Sequence, residues 1–255
     1  MKGTEEGGRM RRPVWGTPTF GRDVQSMFTA ISGSYSLFDH VSTFGGDLIW
    51  RPRALWGADR LSEGSPRRIL DIGCGPGDLT RLLPQHYPGA EVYGLDFTPA
   101  MVHRAAGISA RRSGPTQPAG FLAGDALHLP FRASTFDMVT SAFLLRNLPD
   151  LRAGFAEMRR VLRPGGTFLA LDVTEPPPGA FYRFFHAYFD AVVPTLGAAF
   201  GNPEAYHYLS TSIRHLPPRK EVVELLGSTG FSPARAEPQW MGIITGFLGK
   251  AAKGV

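Results

Sequence analysis

Residues Arg68 to Thr80 read Arg-Ile-Leu-Asp-Ile-Gly-Cys-Gly-Pro-Gly-Asp-Leu-Thr. The first five form a short, mostly apolar run of strand type. Gly73, Gly75 and Gly77 follow as a glycine turn, and Leu79, Leu82 and Leu83 open a helical pattern. A strand running through such a turn into a helix lets backbone approach a ligand closely, because glycine lacks a Cβ and tolerates positive φ. The same turn aims free backbone N–H groups at that ligand. The spacing is Gly-x-Gly-x-Gly preceded by an acid, Asp71. A dinucleotide fingerprint needs Gly-x-Gly-x-x-Gly, and Asp78 stands where its last glycine belongs. A nicotinamide dehydrogenase is therefore disfavoured.

The units around the turn define a fold class. Glu91–Asp96 reads as a second strand, with Thr98 and Pro99 opening the next helix as N-cap and first position. Gly107 to Gln117 reads as a basic, polar loop. Gly120–Gly124 is a third strand ending at Asp125, and Phe136–Ala142 a fourth. Asp150 caps a helix carrying Phe155, Met158, Val161 and Leu162, which Arg163-Pro164-Gly165-Gly166 stops. Thr167–Val173 is a fifth strand, Pro218–Gly227 a helix, and Phe231–Phe247 supplies two last strands. Alternating strands and helices predict an α/β, Rossmann-like, mostly parallel seven-stranded sheet with helices on both faces. Such sheets bind ligands at the carboxyl ends of their strands, where Asp71, Asp96 and Asp125 fall in successive units.

Flanking segments complete the organisation. Residues 1–22 are rich in glycine, charge and proline, and are expected to be a disordered tail. Residues 23–61 form a helical cap ahead of the first strand, with Val24, Met27, Phe28 and Ile31 in helical spacing. Residues 23–255 make one domain, in which 176–217 is an insertion covering the substrate. That insertion holds a dense aromatic block, Phe181 to Phe189, followed by an irregular stretch, Pro194 to Tyr208. The block either packs a helix on the sheet or walls a greasy pocket.

Composition excludes several classes. One cysteine, Cys74, rules out an intrachain disulfide, and a reducing compartment is expected. The net charge is +5, but no run of five basic residues occurs, which argues against nucleic acid and leaves weak attraction to an anionic membrane surface. Met1 to Gly21 lacks the apolar region of a signal peptide, and no stretch approaches the about 20 apolar residues of a spanning helix. The expectation is a cytoplasmic protein, compatible with peripheral contact at the inner face of the cell membrane and with a homodimer. No metal-ligand set is assigned.

The glycine turn looks like motif I of the S-adenosylmethionine (SAM)-dependent methyltransferases with a Rossmann-like fold. SAM carries a sulfonium, a ribose and a zwitterionic amino acid tail. Asp96 lies 19 residues after Gly77, close to the spacing at which an acid meets ribose hydroxyls in nucleotide folds. Asp125-Ala126 suits the adenine amino group. Asp71 either orders the turn or reaches the cofactor's amine through water. Pro76 within the turn, Phe97 after Asp96 and Ala142 at the fourth strand's end complete the cofactor set with Gly73, Gly75 and Gly77.

Further elements narrow the likeness. Val24-Gln25-Ser26-Met27-Phe28-Thr29-Ala30-Ile31, Tyr35, Thr43-Phe44-Gly45, Trp50-Arg51, Phe143 to Asp150 with its Arg146-Asn147 pair, and Tyr206 to Ile213 are each similar to signatures of one family. On these the chain resembles the ubiquinone/menaquinone biosynthesis C-methyltransferases, from about Val24 to Lys250. The resemblance implies methyl transfer from SAM to a ring carbon of a polyprenylated quinol, in menaquinone or ubiquinone synthesis. It implies that Arg146 favours the phenolate electrostatically or orients a water. Asn147 either binds a quinol oxygen or fixes its loop, and Tyr35 either lines the pocket or packs. Ser36, Ala142, Leu144 and Phe247 depart from residues common in the family, and most are expected near the acceptor pocket. These departures keep open a methyltransferase acting on another aromatic or isoprenoid small molecule. A SAM-binding scaffold without turnover is the remaining alternative.

Overall fold

The computed structural model describes residues 13–43, 45–112, 114, 116–193, 195 and 202–253. The side chains of Phe38, Asp39, Val41, Ser42, Ala180 and Tyr206 also lie outside the described set, as do residues 1–12 of the expected tail. Strands β1 (Arg68–Ile72), β2 (Glu91–Asp96), β3 (Gly120–Ala123), β4 (Phe136–Ala142), β5 (Leu162–Val173), β6 (Phe231–Gln239) and β7 (Ile244–Ala251) form one sheet. Its order is β3-β2-β1-β4-β5-β7-β6. The pairs among β1 to β5 are parallel, and β7 runs antiparallel to both β5 and β6.

Helices α1 (Phe20–Ile31), α2 (Tyr35–Ser42) and α3 (Asp47–Asp59) precede the sheet. Then come α4 (Asp78–His86), α5 (Pro99–Ala110), α6 (Leu151–Val161), α7 (Ala180–Ala187, continued by a wider turn through Val192), α8 (Pro203–Thr211) and α9 (Arg219–Ser228). Period-two alternation in the strands sorts the core onto two faces. Leu70, Ile72, Val139, Phe168 and Ala170 face α6 and α9, whereas Ile69, Met138, Leu169 and Leu171 face α3 and α4. Phe155 and Phe168 are fully buried, each contributing about 1.5–3 kcal/mol through removal of apolar surface from water. A third cluster joins α1 to the insertion through Phe20, Met27, Ile31, Val193, Ala205 and Tyr208.

Four boundaries differ from the sequence reading. The cap starts earlier than Asp23, because Phe20 is buried inside α1 and Trp15 packs on it with ring centroids 4.9 Å apart. Alanine and isoleucine carry α5 through to Ala110, into the segment expected to be loop. The stretch expected to be irregular contains α8, which Asn202 caps by accepting from Ala205 N at 3.3 Å with Pro203 in the first turn. β5 also begins at Leu162, so Arg163 to Gly166 belongs to the strand that follows α6. Asp150 caps α6 as expected, accepting from Ala153 N at 2.9 Å.

Candidate active site

The parallel strands all deliver their last residues to one edge of the sheet, and a cavity opens there. It is lined by Gly73, Gly75 and Pro76 of the turn, by Asp71, Asp96, Phe97, Asp125 and Ala126, and by Ala142. Each of Gly73, Gly75 and Gly77 has positive φ, at 65°, 53° and 87°, a region closed to most side chains. A Cβ at Gly75 would meet nothing within 4 Å, so open space fronts the turn where a ligand must approach. Gly77 is the one member of the expected set that does not line the cavity. It caps α4 in the left-handed conformation, and a Cβ there would strike Arg81 and Phe121.

Two buried acids brace this turn. Asp96 accepts from Gly75 N and from Thr98 N, each at 2.8 Å, tying the end of β2 to the turn. Burial raises its pKa against the lowering effect of those backbone donors. Asp71 accepts from Thr80 Oγ1 at 2.6 Å and from Thr140 Oγ1 at 2.9 Å. It therefore pins β1 to α4 and to β4, and it also lines the first cavity. Burial pushes its pKa up to about 7, with the two threonine hydroxyls pulling the other way. A carboxyl raised in the folded state stabilises fully only below its unfolded value, and that contribution is lost as pH rises through 7. Urea unfolding should show stability falling from pH 5 to 7.5, and Asp71→Asn should flatten that component. An unchanged slope in the variant would assign it elsewhere. Cys74 is buried with its thiol pKa pushed well up by desolvation, which fits a small filler in place of a nucleophile.

A second cavity, of about 310 Å³, adjoins the first and is strongly apolar. Tyr35 and Phe143 line both. Its walls come from the aromatic block on α7 and the turn after it (Phe181, Phe184, Phe185, Tyr188, Phe189), from Trp50, and from Trp240 and Met241. Phe143 holds φ at 62°, a conformation that costs a bulky residue of order 1–3 kcal/mol and gathers at functional sites. Its carbonyl accepts from Asn147 Nδ2 at 3.0 Å, and its ring lies 5.4 Å from the Arg146 guanidinium carbon.

Arg146 is the charged group in the wall of this second cavity. It is 5% exposed, which rules out a surface arginine before the α6 cap. Its Nη1 donates to Asp172 Oδ1, its backbone N to Asp172 Oδ2 at 3.2 Å, and its Nε to Ser212 Oγ at 3.2 Å. Burial disfavours the guanidinium, yet Asp172, Tyr35 and Tyr208 together raise its pKa. Tyr208 donates to Asn147 Oδ1 at 3.0 Å, so both polar ends of Asn147 are engaged within the fold. A substrate contact there would use the second amide hydrogen or the second lone pair of the oxygen.

Sequence reasoning gave no role in the site to Asp172, Ser212, Arg51 or Asp78. Arg51 is buried in the first cavity's wall beside Asp71, with Nη1 on Asp47 Oδ2 at 2.7 Å. An acid at the end of β5, the same edge that supplied Asp71 and Asp96, was the signal available for Asp172. Three of the four departures from the family pattern lie in or against the wall of the first cavity. Ser36 donates to Asp78 Oδ2 at 2.9 Å, linking α2 to the first turn of α4. Ala142 and Leu144 line the first cavity, Leu144 against Gly73, and Phe247 is fully buried in the sheet core. None of the four lines the second cavity.

A seven-stranded sheet of this order, with a glycine turn of this spacing and an acid at the end of β2, defines a Rossmann-like SAM-dependent methyltransferase. The family model described as the ubiE/COQ5 methyltransferase family matches residues 18–250. The demethylmenaquinone methyltransferase of Thermus thermophilus is 41% identical over 209 residues, covering 81% of this chain and 91% of that one. The ubiquinone/menaquinone biosynthesis C-methyltransferase of Desulfotalea psychrophila is 36% identical, covering 88% of each. Among solved structures, a SAM-dependent methyltransferase from Aquifex aeolicus superposes with a TM-score of 0.56 at 15% identity, over 89% of this chain and 98% of that one. The chain belongs to the ubiE/COQ5 methyltransferase family.

Proposed function

We propose that the chain methylates a ring carbon of a polyprenylated quinol, with demethylmenaquinol as the foremost acceptor. The observation that carries the reading is the apolar second cavity, which meets the first at Tyr35 and Phe143 and has the buried Arg146 in its wall. The likeness to demethylmenaquinone methyltransferases from Thermus and Deinococcus supports the acceptor. None of the four departures lies in that cavity's lining, so they give no reason to prefer a different acceptor.

Bound S-adenosylmethionine supplies an electrophilic methyl group on a sulfonium. Asp96 would hold the ribose hydroxyls, since each carboxylate oxygen can accept more than the one backbone bond it has. Asp125 and Ala126 suit the adenine edge, and Arg51 gives the first cavity a cation for a carboxylate. In the second cavity, a quinol hydroxyl has a pKa near the ~10 of a phenol. Its ionised form drives electron density onto the neighbouring ring carbon, and a fixed cation beside the oxygen favours that form. Arg146 is a poor base because its own pKa exceeds about 12, so the proton leaves to water while the guanidinium stabilises the anion. Arginine has five N–H donors, and Asp172 and Ser212 take only two of those on the side chain. Holding ring carbon and methyl in contact supplies much of the rate.

Incubating the protein with labelled SAM and a panel of reduced demethyl-quinols tests the reading. Label should appear in long-tailed demethylmenaquinol. Transfer confined to short phenols would replace the acceptor, and SAM binding without any transfer would leave a scaffold. Arg146→Lys keeps the charge but not the planar fork, and is expected to slow kcat about 10–100-fold with SAM affinity within twofold. An equal loss of SAM affinity would remove Arg146 from the acceptor side.

A further inference from the structure

The mouth of the apolar cavity lies on an unusual surface. Three of its lining residues are themselves largely exposed: Phe184 at 64%, Trp240 at 47% and Met241 at 67%. Trp240 and Met241 form the turn between β6 and β7, both at positive φ, 44° and 56°. The Trp240 ring packs at 5.0 Å on Trp50 of α3. On α3, the helix that carries Trp50, Leu48 and Ile49 in the first turn are 67% and 66% exposed. Trp56, seven and eight residues on, shares their side of the helix and is 59% exposed. Large apolar side chains grouped in this way mark an interaction surface.

The charges beside the patch select the partner. Arg53, between Ile49 and Trp56, is exposed and makes no ion pair among the described residues, and the same holds for Arg183 beside Phe184. Of the acids nearby, Asp47 is buried on Arg51, Glu237 pairs with both Arg60 and Arg235, and Asp59 at the far end of α3 takes His86 and the Tyr87 hydroxyl. Apolar side chains flanked by arginine complement an anionic lipid surface, in which aromatic and aliphatic groups sink to the acyl boundary. No described helix is long and apolar enough to cross a membrane, so the contact is one that lies on the bilayer.

We propose that the chain docks on an anionic bilayer through the outer face of α3 and the Trp240–Met241 turn. Docking in this pose sets the cavity mouth against the acyl region, so that a tailed acceptor passes from lipid into the cavity without crossing water. The proposal rests on the quinol reading for its substrate, but the surface itself can be tested apart from turnover.

The test is co-sedimentation with vesicles of phosphatidylcholine and phosphatidylglycerol at 70:30, and of phosphatidylcholine alone. The parent protein is expected to bind the anionic vesicles. A Leu48→Gln/Ile49→Gln variant, altered outside the cavity lining, should partition about tenfold more weakly, with unchanged circular dichroism and SAM affinity. Arg53→Gln should lose about fivefold on the anionic vesicles and nothing on the neutral ones. Methylation of vesicle-embedded quinol should fall with partition, while that of a short-tailed, dispersed quinol stays at the parent rate. Failure of the parent to bind anionic vesicles, or binding by both variants as tight as the parent's, overturns the docking face even if quinol methylation holds. A dimer in light scattering that Leu48→Gln/Ile49→Gln dissociates, without vesicle binding, gives the patch to a second copy instead. Loss of partition in the variant with no transfer to any quinol upholds the face and overturns the function.

Discussion

An Asp172→Ala variant is expected to lose about 3–5 kcal/mol of folding stability, because removing one partner of a buried pair leaves the other charge uncompensated. For a chain of this length that is a fall in melting temperature on the order of 10 °C. Asp172 is fully buried and accepts from both the guanidinium and the backbone N–H of Arg146. Adding Arg146→Met to the same chain should restore most of the stability, since replacing both members with apolar groups is often neutral, and the doubly substituted protein should stay inactive. Urea midpoints for the four members of this cycle decide the matter. A stable Asp172→Ala protein would mean that Arg146 finds another anion or an open path to solvent. Arg146 sits in the turn after β4 and Asp172 near the end of β5, so a result as expected also shows that the sheet holds this turn in the second cavity's wall.

Asp96→Ala is expected to weaken SAM binding about 10²–10³-fold, read by titration calorimetry. The carboxylate takes two backbone donors, Gly75 N and Thr98 N, and under the proposed function two ribose hydroxyls as well. Bonds to a charged acceptor are worth about 1.5–3 kcal/mol each, so losing two toward the cofactor accounts for the drop. Asp96→Asn keeps an acceptor and most of the shape, and should sit between the two at about tenfold. Undiminished affinity in the alanine variant would show that the acid serves the glycine turn alone.

The sequence was most legible where one local signal settled the conformation. β2 and β4 fall at Glu91–Asp96 and Phe136–Ala142 as read, because apolar runs bounded by turn residues leave few other solutions. The glycine spacing likewise fixed the turn at the sheet's edge. What stayed hidden depended on residues far apart in the chain. Asp172 stood out as an acid near the end of a strand, but its partner did not until β5 was laid beside β4 and its carboxylate met Arg146. Asn147 could not be weighed between substrate and loop until Tyr208, from α8, was seen to occupy its amide oxygen. The departures from the family pattern needed the fold in the same way. The Ser36 hydroxyl donates to Asp78, a wall residue of the first cavity 42 positions along the chain. Neighbouring residues on a helix look in different directions, so only the fold shows which wall Tyr35 and Ser36 each meet.

Phe143 is a shared wall, bordering the cavity at the glycine turn on one side and the apolar cavity on the other. A ring in that position cannot be pushed by an occupant of one room without altering the shape of the other. The two binding equilibria are then linked through it, and linkage is reciprocal: whatever factor the first ligand imposes on the second, the second imposes on the first. Order of addition, trapping of one ligand by the other and the ease of product exit would all descend from the freedom of this one side chain.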